Sequence, residues 1–243
     1  QPGDLLERLP NRSEAQDLRR SGVLTDPVGQ FIHPSVMARR IPDDRLQRLV
    51  ECATAVFIEQ GYARTQMADV AAALGVAKGT IYLYVESKEA LFDLVARSAD
   101  AEPPFEKPPK LPIRTPKPDA TFKYVRARLA KTQVPPTLLA ALGQQRVDDP
   151  RAELEAIVRE LYDTVARNRL GLKVLDRSAR DHPALAALWF EGARGGLITL
   201  LARYLDERIR RKRFRPVPDT AAAARLIIET VVFWAVHRHW DAH

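Results

Sequence analysis

The sequence predicts an all-α fold in which a three-helix head is joined to a larger helical body. Three observations predict it. Apolar residues recur at the helical period along most of the 243 residues. No stretch keeps the period-2 alternation of a half-buried strand, and no internal repeat is visible. Residues 101–118 hold seven prolines, a density no helix survives, so an extended connector is expected there. The domain plan is therefore an extension over 1–42, a head over 43–99, the connector over 100–118 and a body over 119–243.

The extension has weak patterning. Leu5, Leu6 and Leu9 suggest a turn or two of helix, which Pro10, Pro27 and Pro34 interrupt. Arg39 and Arg40 precede the first firm helix, where a basic arm can reach a minor groove; a packed or solvated tail is the alternative. The first firm helix is expected from about Asp43 to Gln60, capped by Asp43 or Asp44 and ended by Gly61. Leu46, Leu49, Val50, Ala53 and Phe57 form its apolar stripe.

Thr65 is placed to cap the next helix, with Asp69 favouring the positive end of its dipole. Ala68 to Leu74 is rich in strong helix formers, and Gly75 breaks the pattern as a residue of positive φ would. Ala77 to Tyr84 resumes helical spacing, with Val76, Ile81 and Val85 on the inner side. Ser87 caps a further helix carrying Leu91, Phe92 and Val95. Helix, glycine turn and second helix make a helix-turn-helix, whose second helix enters a DNA major groove.

The body is expected to hold a helix over Ala120–Lys131, a short one after Pro135-Pro136, and a longer one from Pro150. Leu154, Ile157, Val158, Leu161 and Val165 share one face of the third. A segment from Leu172 to Arg180 follows, then a long helix from Pro183, and a last one from Asp219 to about Trp240. The last is apolar on most of its circumference and so needs cover on two sides. One side faces the core; the other is expected to meet a second copy, with the Pro183 helix beside it, in a four-helix interface. Leu197, Leu201, Tyr204, Ile227, Val231 and Trp234 are the candidates for that interface.

Charge bears on the ligand. The chain has a net charge of +7, yet residues 43–99 hold 6 Lys and Arg against 8 Asp and Glu. Selective DNA reading must then rest on a few placed cations, not on bulk charge. Lys78 stands at the exposed start of the recognition helix as a base or phosphate contact. Gly79 permits close approach to the DNA backbone. Thr80 and Tyr82 offer hydroxyls, and Tyr84 a phosphate contact; packing in the head core is the alternative for both tyrosines. Thr65 and Lys88 begin the flanking helices, where phosphates can be clamped.

Other features carry less. Cys52 alone excludes an intrachain disulfide, suits a reducing cytoplasm, and reads as a buried inert thiol. The six cations of Arg208–Arg215 end a helix and read as a solvated face. His237, His239, Asp241 and His243 read as an exposed terminus, so no metal or other cofactor is expected. Phe122, Tyr124, Tyr162, Trp189 and Phe190 are candidates for lining an apolar cavity, with Arg194 or His182 to orient a polar group; plain core is the alternative. No apolar run is expected to span a membrane. The chain starts at Gln1, so its natural start is expected upstream.

GVAKGTIYLYVESKEAL, Gly75 to Leu91, resembles the signature of TetR-type (TetR/AcrR) transcriptional regulators. FIEQGYARTQMADVA, ahead of it, is similar to the same family, as is RRKRFRPVPDTAAAARL in the body. The resemblance is specific over Asp43–Val95 and mainly architectural over 119–243. It implies an N-terminal helix-turn-helix DNA-binding head on a C-terminal ligand-binding and dimerisation domain. It further implies a cytoplasmic homodimer on a palindromic double-stranded operator, released by a small-molecule inducer. Two positions depart from the pattern. Ala77 stands where Ser or Thr is usual, which removes a phosphate contact. Leu83 replaces a polar residue and offers a thymine-methyl contact instead. Two other readings are a helix-turn-helix regulator controlled by a protein partner and an all-helical enzyme. No phosphate loop, G-x-S-x-G, H-E-x-x-H or spaced Cys-His pair is present, so no catalytic residue is assigned.

Overall fold

The computed structural model describes residues 43–101, 109–132 and 134–240. The extension with Arg39 and Arg40, the cap expected from Asp43 or Asp44, and Asp241 and His243 lie outside the described residues or side chains.

The head begins with α1, Asp43–Gln60, whose stripe from Leu46 to Phe57 is buried as its spacing predicts. Gly61 follows at φ 79° and a Cβ there would also press within 3.2 Å of the Arg177 carbonyl oxygen, so glycine is required twice over. Helix α2, Met67–Leu74, is capped by Gln66 and not by Thr65: Gln66 and Asp69 form a reciprocal capping box. Thr65 is instead buried, its hydroxyl donating to the Gly61 carbonyl at 2.7 Å. Gly75, at φ 74°, closes α2 as its N–H and that of Val76 return to Ala72 and Ala71.

Helix α3, Lys78–Ile81, is a single turn, shorter than the spacing suggests. The chain then tightens, with Leu83 N–H donating to Thr80 and Tyr84 N–H to Ile81. Helix α4, Lys88–Ser98, starts at Ser87, whose Oγ accepts the Ala90 N–H.

The body contains α5, Ala120–Thr132, α6, Pro136–Gly143, α7, Pro150–Arg167, and α8, Arg169–Ala179. Next comes α9, a continuous 28-residue helix over Pro183–Arg210 that widens to π-type turns over Ala187–Arg194. Last is α10, Thr220–Ala235, capped by Asp219 and followed by a 3₁₀ turn at His237–Trp240. By length and hydropathy alone, Pro183–Arg210 and Thr220–Trp240 could each cross a bilayer, against the expectation from the bare sequence. Each places one side in the body core.

Two apolar clusters organise these helices. One joins α1, α2 and α4 to Val174, Leu175 and Ala179 of α8 and to Leu185 and Trp189 of α9. The head thus sits directly on the body through shared core. Phe57 meets Phe92 edge-on at 5.3 Å between ring centres, and Tyr62 meets Phe92 at 4.9 Å. The other cluster lies among α6, α7, α9 and α10.

The cation run at the end of α9 is not uniformly solvated. Arg208 is fully buried. Its Nε and Nη2 donate to the two Glu153 carboxylate oxygens at 2.8 and 2.9 Å, and Nη2 also reaches the Ala141 carbonyl. Tyr204 shares the site, its hydroxyl donating to Glu153 at 2.8 Å. Burial, and then that bond, push the Tyr204 hydroxyl pKa up. Cys52 is half-buried, with burial raising its thiol pKa, which suits an unreactive side chain.

Candidate DNA-reading head and body cavity

The second helix of the helix-turn-helix, α3, and its flanks present an outward surface. Ala77, Lys78 and Gly79 are exposed, Leu83 is 61 % exposed and Tyr82 42 % exposed, while Thr80 is half-buried. Ile81 and Val85, by contrast, are fully buried and hold the turn to α1 and α4. Nothing within 4 Å would meet a Cβ built on Gly79, so the fold does not demand glycine there. Leu83 and Tyr82 are neighbouring exposed apolar side chains on this face.

Three expected contacts are placed elsewhere. Tyr84 is 3 % exposed and belongs to the head core, the packing alternative given above. Thr65 is buried behind its bond to Gly61. The Lys88 ammonium donates to the Tyr62 and Ala63 carbonyls at 3.0 and 3.3 Å and lies 4.6 Å from the centre of the Tyr62 ring. It ties the end of the α1–α2 loop to α4 and is not a free cation at the surface. Burial and the neighbouring Glu89 carboxylate push the Tyr62 hydroxyl up to about 12, so it stays a donor to Glu89.

The described part of the connector, residues 109–118, is tied to the head. Ile113 pairs with the end of the recognition segment: its N–H donates to the Tyr84 carbonyl at 2.7 Å, and its carbonyl accepts the Glu86 N–H at 3.0 Å. Thr115 then bonds through its N–H to Glu86 and through its hydroxyl to Ser87, each at 2.9 Å.

A cavity of about 110 Å³ lies below the head, among α4, α5 and α7 to α10. Phe92 and Ala96 of α4 form one wall, and Leu161, Val165, Leu197 and Ile228 line the body side. Of the six expected lining residues, Trp189 and Arg194 are present. Phe122 packs against His182, Tyr124 stacks under the Arg97 guanidinium, Tyr162 is exposed, and Phe190 joins the core outside the cavity. The aliphatic lining was missed because at helical spacing it is indistinguishable from filled core.

Polar groups stand at the cavity edge. Arg128 donates to Asn168 Oδ1 at 2.7 Å and to the Ala96 carbonyl. Asp100 accepts the Leu170 and Gly171 N–H groups, while burial pushes its carboxyl pKa above the usual value. Arg194 pairs with Glu229, but its buried Nε bonds to nothing among the described residues. The histidines near the terminus face cations: Lys173 Nζ lies 3.0 Å from the His237 ring and Arg169 contacts His239.

The expected dimer residues divide. Leu197, Leu201, Tyr204 and Val231 are buried in the protomer's own core, which leaves them little surface to offer a second copy. The inner face of α10 is Ala224, Ile228, Val231 and Ala235. Its outer face carries Leu226 at 69 % exposure with Phe233, and Trp234 at 48 % stands beside them next to half-buried Ile227. That outer face remains as the uncovered apolar surface.

A head with an outward turn after a glycine-ended helix sits on a helical body that holds a cavity, the layout of a helix-turn-helix unit joined to a second helical domain. Residues 49–95 match the model of bacterial regulatory proteins of the tetR family. Over 44 residues it is 50 % identical to the HTH-type transcriptional repressor DhaR of Mycobacterium sp. (strain GP1). That stretch is 18 % of this chain and only 22 % of DhaR. Among solved structures, the ketosteroid transcriptional regulator KstR2 of Mycobacterium tuberculosis is 17 % identical, covering 84 % of this chain and 85 % of its own, at TM-score 0.49. The TetR family transcriptional regulator PfmR from Thermus thermophilus is 20 % identical, covering 80 % and 86 %, at TM-score 0.46.

Proposed function

We propose that this protein is a cytoplasmic transcriptional repressor, not an enzyme, that binds an operator as a homodimer and leaves it when a small molecule enters the body cavity. The observation that carries the reading is the exposed turn from Ala77 to Leu83, with Lys78 and an unconstrained Gly79, held on buried Ile81 and Val85. The outer face of α10 supplies the apolar patch a two-fold partner covers. Two recognition turns then address half-sites about one DNA turn, roughly 34 Å, apart.

The cavity favours a small molecule over a protein as the controlling partner. Its lining is chiefly apolar, and Arg194 Nε is a buried donor awaiting an acceptor. The inducer is therefore a mainly apolar compound carrying an acceptor group. Its route to the DNA is short, since α4 both walls the cavity and follows directly on the recognition turn.

The test is capture of genomic DNA fragments by the purified protein, followed by gel-shift measurement. Lys78→Ala is expected to weaken binding about tenfold, the low end for a lost base or phosphate contact, at unchanged melting temperature. Unchanged affinity would remove Lys78 from the interface. Addition of a metabolite extract should release the fragment; full retention would point to control by a protein.

A further inference from the structure

The head's charge leaves a shortfall. Residues 43–99 carry more carboxylates than cations, Lys88 is engaged in loop carbonyls, and Tyr84 is buried. Phosphate contact supplies most sequence-independent affinity, and within the recognition segment 75–87 Lys78 is the one cation. The connector meets that shortfall. Residues 109–118 contain Lys110, Arg114 and Lys117 and no carboxylate. All three cations are exposed and make no ion pair or hydrogen bond through their side chains among the described residues.

Their position is fixed from the backbone. The Ile113 pairing places Arg114 next to the chain that leaves the recognition turn, two residues past exposed Leu83. Thr115 donates its N–H to the Glu86 carboxylate. The seven steps from Lys110 to Lys117 reach at most about 24 Å in extended chain. That is more than half of a roughly 34 Å turn of duplex.

We propose that the connector 109–118 is a second DNA-contacting element, in which Lys110, Arg114 and Lys117 bind backbone phosphates flanking the half-site read by α3. The proposal rests on the reading that the head binds DNA. Its contribution is independent of sequence, because phosphates carry the contact. Prolines suit this role because they hold the chain extended, so little entropy is lost when the cations dock.

The experiment is a salt series with the full chain, on a captured genomic fragment and on a fragment of unrelated sequence. The triple variant Lys110→Gln, Arg114→Gln, Lys117→Gln is compared with the unaltered protein. Each phosphate contact adds about 0.9 to the slope of log K against log salt. Three contacts per protomer, six per dimer, then make the unaltered chain lose roughly 2,000-fold more affinity than the variant between about 50 and 200 mM salt. Both fragments should weaken alike, the melting temperature should hold, and the charge-preserving triple Lys110→Arg, Arg114→Lys, Lys117→Arg should keep the original slope. A Gln variant with the original slope overturns the connector's role and leaves the head's reading intact. Retention of no DNA by the unaltered chain overturns both.

Discussion

Replacing Gly79 by Ala should make the protein more stable and a poorer DNA binder, a combination that packing alone would not produce. Gly79 lies inside the α3 turn, and its φ is not positive, so alanine fits the backbone. A Cβ there has open space on every side within the protein. The change then removes unfolded-chain freedom and adds helix propensity, a gain of about 0.4–1 kcal/mol. For a chain of this size that is a rise of roughly 1–4 °C in Tm. On the proposed reading, the same methyl stands where the recognition turn comes close to the duplex. Holding the turn off by even a fraction of an ångström lengthens every neighbouring polar contact, and loss of one good base contact costs about 1–3 kcal/mol. Operator affinity should fall roughly tenfold or more, as 1.4 kcal/mol is a factor of about ten. Thermal melting and fluorescence anisotropy on a captured fragment read the two effects separately. Wild-type affinity with a raised Tm would mean that Gly79 faces away from the DNA, and the orientation argued for α3 would be wrong.

Arg208→Ala should leave the Glu153 carboxylate buried without its partner and lower stability by about 3–5 kcal/mol, at least roughly 6 °C of Tm. Glu153→Leu combined with Arg208→Met should recover most of it; a single variant melting within about 2 °C of the wild type would refute the buried pair's role. Trp234→Glu places a charge on the exposed outer face of α10, beside Phe233 and Arg238. Sedimentation should then show monomers where the parent shows dimers, with helicity unchanged, and an intact dimer would move the interface elsewhere.

The head is legible in the sequence because its helix starts and stops are written in local chemistry. Gly61 and Gly75 take positive φ, Ser87 caps α4, and the α1 stripe is buried at its expected spacing. Where two caps compete, the sequence does not decide. Thr65 and Gln66 both precede α2, and the choice fell to Gln66 because the Thr65 hydroxyl returns to Gly61. Arg208 shows a second limit. Composition cannot tell which of six neighbouring cations will meet Glu153, 55 residues earlier in the chain. The α9 dimer candidates show a related limit. An apolar stripe says that a face is covered, not whether its own core or a second copy covers it. The connector is the clearest case: prolines exclude a helix, but nothing in them names Tyr84 and Glu86 as the partners of Ile113.

Those partners change how a signal can leave the cavity. Phe92 and Ala96 put α4 in its wall, and Val125 and Leu129 put α5 there too. A ligand larger than the present space must displace one of these helices. Displacing α4 moves Ser87, and Thr115 is bonded to Ser87, so the connector follows. Displacing α5 pulls the same connector from its other end, since only Asp119 separates residues 109–118 from Ala120. Both routes end at the Tyr84–Ser87 segment that carries the recognition turn. Release still requires the ligand to bind the displaced form better than the DNA-bound one. A hundredfold loss of operator affinity needs about 2.7 kcal/mol of that difference. An aliphatic wall yielding to a larger apolar ligand can supply it, at about 25 cal/mol per Å² of surface removed from water, with roughly 110 Å² of additional apolar contact.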